Sequence, residues 1–144
     1  MNELKVLKGG LAVDDRGSVG FVNDFDFKNV KRFYQVENHR RGFIRAWHGH
    51  QKESKYVYVT SGSALIGVVP LNAKKGDLAN VRKFVLSDKA PSVLYIPENN
   101  FNGFMSLEEN TKIIFFSTTA LEESLGDDIR KPYDEWDIWQ EDFR

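Results

Sequence analysis

Residues 42–62 read GFIRAWHGHQKESKYVYVTSG, and this stretch decides the fold. Within it, Lys55-Tyr56-Val57-Tyr58-Val59-Thr60 alternates with a period of two and is rich in β-branched and aromatic residues. That is the pattern of a strand with one buried face. Ser61-Gly62 is a turn signal, and Ala64 to Pro70 reads as the hairpin partner. Upstream, Gly42 to His48 reads as another strand. His48 and His50 stand two residues apart, so on a strand both imidazoles point to one face.

The same punctuation continues in both directions. An Asp14-Asp15-Arg16-Gly17 turn leads into a strand at Gly17 to Val22, and Val30 to Val36 is the next. After the hairpin come Val81 to Leu86, Ser92 to Ile96, Asn102 to Ser106 and Thr111 to Thr118. About nine short strands at regular spacing predict an all-β fold, a sandwich or jelly-roll barrel, and argue against α/β. Helical periodicity is weak except at Ala120 to Leu125. With 144 residues, the chain is expected to form one domain, residues 1–144. The stretch from about 127 to 144 carries Tyr133, Trp136, Trp139 and Phe143, and so many aromatics predict a docked tail.

Composition excludes several classes. Hydrophobic residues make up 41% and aromatics 13%, as in a globular chain. Twenty Lys and Arg face 21 Asp and Glu, too balanced for sequence-independent nucleic-acid binding, although a local basic pocket is allowed. The absence of cysteine excludes disulfides, zinc–thiolate centres and thiol nucleophiles. The stretch from Met1 to Lys5 lacks the apolar core of a signal peptide, and no apolar run approaches a membrane span. A cytoplasmic protein is expected.

The chain has three histidines: His39, His48 and His50. His39-Arg40-Arg41 reads as a turn. Arg45 has the opposite parity to His48 on an ideal strand, so it joins the histidines only through a bulge or from the rim. Lys55, on the next strand, can come alongside. Two His, a Lys and an Arg in one pocket call for a polar ligand. Surface exposure of the pair, metal ligation and acid–base chemistry are the alternatives. The spacing resembles the first cupin signature: Gly42, five residues, His48-Gly49-His50, four residues, Lys55, six residues, Gly62. Lys55 stands where that signature has a metal-binding Glu, and Asn102 where the second signature has its His. The resemblance therefore implies a cupin barrel (a double-stranded β-helix) without its metal, since an ammonium repels a divalent cation.

An ordered series of segments also resembles the dTDP-4-dehydrorhamnose 3,5-epimerase family. The series runs Asp14-Asp15-Arg16-Gly17, Phe33-Tyr34-Gln35-Val36-Glu37-Asn38, Arg45-Ala46-Trp47-His48, Lys55, Ile96-Pro97-Glu98 through Asn102-Gly103-Phe104, Ser117-Thr118-Thr119 and Asp137-Ile138-Trp139. Ala120, Leu121 and Glu122 occupy the positions where that family places a catalytic Tyr. His50 and Tyr34 are similar instead to the dTDP-sugar 3,4-ketoisomerases. The resemblance implies an epimerase or isomerase of a nucleotide-linked 4-keto-6-deoxy sugar, with two alternatives: a 3,4-ketoisomerase and a domain that binds a sugar nucleotide without catalysis. It also implies surface-polysaccharide biosynthesis, a dTDP-linked ligand, no cofactor, no nucleic-acid or membrane partner and a homodimer.

The implied chemistry begins with removal of a proton beside the C4 ketone. A base with a pKa near the working pH suits His, and a fixed cation at the developing oxyanion suits Lys. His48 is the expected base and His50 a second acid/base or ligand-orienting group. Tyr34 is the expected proton donor and Lys55 the oxyanion partner. Arg16 and Arg45 are candidates for the diphosphate, which guanidinium binds bidentately. Gln35, Asn38 and Asn102 are substrate contacts by resemblance. A carboxylate from Asp127, Asp128, Asp134 or Asp137 is expected to orient His48.

Overall fold

A computed structural model describes residues 3–144; the first two residues of the amino-terminal stretch read above lie outside the described residues. Its strands are β1 (Lys5–Lys8), β2 (Gly10–Asp14), β3 (Gly17–Phe21), β4 (Arg32–Glu37), β5 (Ile44–His50) and β6 (Lys55–Ser61). There follow β7 (Ser63–Pro70), β8 (Arg82–Ser87), β9 (Ser92–Ile96), β10 (Asn100–Ser106), β11 (Lys112–Ser117), the one α-helix among the described residues, α1 (Leu121–Leu125), and β12 (Ile129–Arg130). The nine strands expected from the sequence are present, shifted by a residue or two at their ends. β1, β2 and the two-residue β12 are additional.

Two five-stranded antiparallel sheets face each other, one ordered β1-β9-β6-β11-β4 and the other β12-β5-β10-β7-β8. β2 and β3 form a separate hairpin. This is the jelly-roll, cupin-type barrel. The alternation read in residues 55–60 sets one wall: Val57 and Val59 are buried, and they pack with Ile66, Val68, Leu94, Phe104, Ile113 and Phe115 between the sheets. One end of that interior stays open and polar.

A second core lies on the outer face of β5 and β7. Trp47 and Trp136, both nearly fully buried, meet there with Trp139, Val69 and Phe101. The indole N–H groups of Trp47 and Trp139 both donate to the Tyr133 carbonyl at 3.1 Å, and that of Trp136 donates to the Lys74 carbonyl at 2.8 Å. Within the carboxy-terminal stretch, then, Trp136 and Trp139 are docked, whereas Tyr133 and Phe143 are exposed. This covering requires small residues beneath it. A Cβ at Gly67 would lie 2.6 Å from Ile138 and 2.7 Å from Trp47. One at Gly49 would lie 2.7 Å from the Phe101 ring.

Candidate active site

The open end of the barrel is a cavity of about 310 Å³. β4 contributes Arg32, Tyr34 and Val36; β5 contributes Arg45, His48 and His50; β6 contributes Lys55. Asn102 and Phe104 come from β10 and Phe115 from β11. Glu53 sits in the β5–β6 loop, α1 closes one side with Leu121, Ser124 and Leu125, and Asp128 and Arg130 flank the start of β12.

Arg45 reaches this cavity by a bulge. Along the β5–β10 pair, Asn102 faces His48 and Phe104 faces Arg45. Two steps on β10 thus match three on β5, and the extra residue reverses the parity of Arg45 relative to His48. The Arg45 Nε–H then donates to Asn38 Oδ1 at 2.7 Å. Asn38 is itself buried, and its amide donates to the Phe43 carbonyl and to Ser106 Oγ. It holds Arg45 in place and does not line the cavity.

Burial lowers the pKa of His48 to about 4, aided by repulsion from Lys55 and Arg130, while Asp128 acts in the opposite sense. The ring is a neutral base at pH 7, and a weaker one than the sequence reading calls for. Of the four Asp candidates, Asp128 is the one beside it, with Oδ1 at 3.9 Å from His48 Nδ1. Asp128 also accepts from Arg130 Nε at 2.8 Å. Asp127 has another task. Its carboxylate accepts from the backbone N–H groups of Gln51, Lys52 and Glu53 at 2.8–2.9 Å, which shapes the β5–β6 loop.

His50 is turned inward. Its Nδ1 lies 2.9 Å from the Asp127 carbonyl oxygen. A carbonyl only accepts, so Nδ1 carries the proton and Nε2 the lone pair. Burial, and Lys55 nearby, also lower its pKa. Lys55 is 6% exposed, with Nζ at 3.6 Å from Glu53 Oε2 and 5.6 Å from the Phe115 ring centre. Tyr34 stacks on Phe115 at 5.2 Å, and burial pushes its hydroxyl well above the ordinary range.

Besides Asn38, two more expected contacts lie elsewhere. Gln35 has the opposite parity to Tyr34 on β4 and is exposed outside the barrel. Arg16 stands at the tip of the β2–β3 hairpin, 85% exposed and paired with Asp14, away from this cavity. Conversely, Arg32, Glu53, Ser124 and Arg130 line the site without having been expected. Arg32 was legible, because it shares the parity of Tyr34. Glu53 belongs to no strand, and periodicity carries no information about it. The donor set does not fit a divalent cation: among the described residues no three His, Asp or Glu converge to hold one. The Lys55 ammonium occupies the same space.

A jelly-roll barrel with two imidazoles and a buried lysine at its open, polar end defines a cupin-type protein. The family model of dTDP-4-dehydrorhamnose 3,5-epimerase matches residues 2–136, and the chain belongs to that family. Among solved structures, it is similar to an rmlC epimerase from Mycobacterium tuberculosis, with 20% identity, a TM-score of 0.70 and coverage of 87% of this chain and 66% of that one. It is also similar to ChmJ, a 3'-monoepimerase from Streptomyces bikiniensis solved in complex with dTDP-quinovose (15%, TM-score 0.75, 91% and 71%). A third is the 3,4-ketoisomerase QdtA from Thermoanaerobacterium thermosaccharolyticum, solved as a variant in complex with TDP (19%, TM-score 0.70, 95% and 94%). The chain thus spans about two thirds of the first epimerase and nearly all of the ketoisomerase. At these identities the likeness is one of fold. Compared by sequence with the curated proteins, the chain finds no match.

Proposed function

We propose that this chain is an isomerase of a dTDP-linked 4-keto-6-deoxy sugar that removes a proton from the carbon next to the ketone. The observation that carries the reading is the pairing, in one cavity, of the neutral His48 ring with the Lys55 ammonium. His48 takes the carbon-bound proton. Lys55 neutralises the oxygen that becomes an enolate, in a water-poor setting where a fixed charge counts most. Arg45, Arg32 and Arg130 supply the positive rim that a diphosphate requires. A bound dianion also raises the basicity of His48, offsetting part of the lowering caused by burial. Asn102, opposite His48 in the strand pairing, contacts the sugar.

A specific observation favours 3,4-ketoisomerisation as the form of the reaction. His48 and His50 occupy one wall, and the apolar side chains of Leu121 and Leu125 line the cavity where α1 follows Thr119. Epimerisation needs an acid on the far face of the sugar; Leu121, Ser124 and Leu125, which α1 turns to the cavity, include no carboxyl or phenol, so that role would fall to Tyr34 on the opposite sheet. Surface-polysaccharide synthesis in the cytoplasm is the setting that suits such a substrate.

We read the assembly as a homodimer. Phe27 and Phe33 are more than 60% exposed and join Phe25 and Phe116 in a cluster beside edge strand β4, while Val13 and Val19 stand exposed on the β2–β3 hairpin. Apolar surface and an open strand edge of this kind call for cover. The catalytic reading is tested by incubating the protein with dTDP-4-keto-6-deoxyglucose in deuterated water. Deuterium enters the sugar, and His48→Ala lowers the rate at least about 100-fold with nucleotide binding retained. Intact binding without incorporation by the wild-type protein would leave only the binding-module alternative.

A further inference from the structure

The proton transfer proposed above leaves one buried charge without a task. Glu53 is 3% exposed, yet five polar groups from four different segments converge on it. Its Oε1 accepts from Ser124 Oγ at 2.6 Å and from Thr119 Oγ1 at 2.9 Å, and Arg32 Nη2 stands 3.6 Å away. Its Oε2 has no such bond and lies between two nitrogens, Lys55 Nζ at 3.6 Å and His50 Nε2 at 3.7 Å. His50 Nε2 is fully enclosed and has no hydrogen-bond partner. Since Nδ1 is committed to the Asp127 carbonyl, the Nε2 lone pair faces a carboxylate oxygen, so two acceptors point at one another with no proton between them.

We propose that Glu53 is the positioning residue of this site: one carboxylate oxygen is pinned by Ser124 and Thr119 so that the other holds Lys55 as a cation and backs His50. The inference rests on the catalytic reading given above, but the geometry on which it stands does not depend on the substrate. An ammonium buried as deeply as Lys55 is driven towards the neutral amine by burial, and Glu53 is the largest influence in the other direction. Glu53 itself is pushed up by burial, but Lys55 and the hydroxyls of Ser124 and Thr119 outweigh this and hold it ionised. The other charges acting on Lys55 are Asp128, which supports its charge, and Arg32, which opposes it. Both lie in the same cavity as Glu53. The gap between Glu53 and His50 has a second consequence. A proton arriving at Nε2 would satisfy both acceptors, so His50 responds to Glu53 and does not meet the substrate through that nitrogen.

The test titrates Lys55 directly in Glu53→Gln and Glu53→Asp, using nitrogen NMR on lysine-labelled protein, alongside the pH profile of solvent-deuterium exchange. In Glu53→Gln, the Lys55 titration moves down by at least about one pH unit, a tenfold change in its protonation equilibrium. The alkaline limb of kcat moves with it and KM changes little. Glu53→Asp restores most of both and shows that the barrel tolerates a shorter acid. If Lys55 titrates at the wild-type position in folded Glu53→Gln, the proposal is overturned. A shifted Lys55 in a protein whose wild type gives no exchange would sink the catalytic reading and leave the Glu53–Lys55 coupling standing.

Discussion

His48 shows how a single residue's surroundings decide its chemistry. Its pKa of about 4 means that the base form persists through neutrality, because a charge there is poorly solvated and faces Lys55 and Arg130. The acid limb of kcat/KM, which reports the free enzyme, therefore falls near pH 4 and not near 6.5. Asp128→Asn removes the group that favours protonation and moves this limb lower still, as a kcat/KM series carried down to about pH 3 would reveal. Stability follows the same sign. The unfolded chain titrates His48 at its ordinary 6.5 and binds more protons than the folded chain between there and about 4. This contribution is complete above 6.5 and is lost as the pH falls through that window. At this scale much of the site was legible. His48, His50, Lys55, Tyr34 and Asn102 are side chains of strands, and a period of two places them on one wall or the other, whereas Arg45 arrives only through the bulge. Gln35 fails by that same rule, since it is odd where Tyr34 is even. Glu53 and Asp128 lie in connecting segments, where direction is set by hydrogen bonds such as those Asp127 makes to residues 51–53, and no periodicity records these.

Among the elements, β5 joins the two cores. Its inner face carries the histidines, and its outer face carries Trp47 into the aromatic cluster. β12 pairs with it through Ile129 opposite Gly49 and Arg130 opposite His48, which brings Asp128 to the imidazole. The docking of the carboxy-terminal segment is thus part of how the site is built. Trp47→Ala should cost about 3–5 kcal/mol, the usual penalty for emptying a fully buried aromatic position. Urea denaturation would measure that loss, and limited proteolysis would show residues after 126 cut faster than in the wild type. A two-residue strand such as β12 has no sequence signature of its own. It forms because Trp136 and Trp139 anchor the segment beyond it, so it was readable only indirectly, through the aromatic content of the tail. The bulge in β5 was equally indirect. The parity of Arg45 called for a bulge or a reach from the rim, and the pairing with β10 shows the bulge and its location.

For the molecule as a whole, the arrangement of charge and apolar surface divides the labour. Four cationic side chains and two carboxylates gather at the open end of the barrel, while exposed aromatics gather outside sheet β1-β9-β6-β11-β4. Replacing Phe27 and Phe33 together by Glu should convert the proposed dimer into a monomer in sedimentation velocity, with the barrel's circular dichroism preserved. If the double variant sediments as the wild type does, the interface lies elsewhere. The barrel class was readable because regular turns and two-residue alternation leave few other ways to bury so many short strands. The reaction was readable only as a class, because its stereochemical course depends on which groups meet across the cavity, a matter of folded geometry.

The aromatic cluster behind β5 has a practical meaning. The chain's three tryptophans, Trp47, Trp136 and Trp139, all lie in it, with ring centres 5.3 and 5.5 Å apart. Tryptophan fluorescence, excited beyond the tyrosine band, therefore observes one place: the seam where the tail meets the strand that bears His48. The protein carries its own optical probe of the wall on which its chemistry rests, and a change in emission on adding a nucleotide would be a signal from that wall, with no label attached.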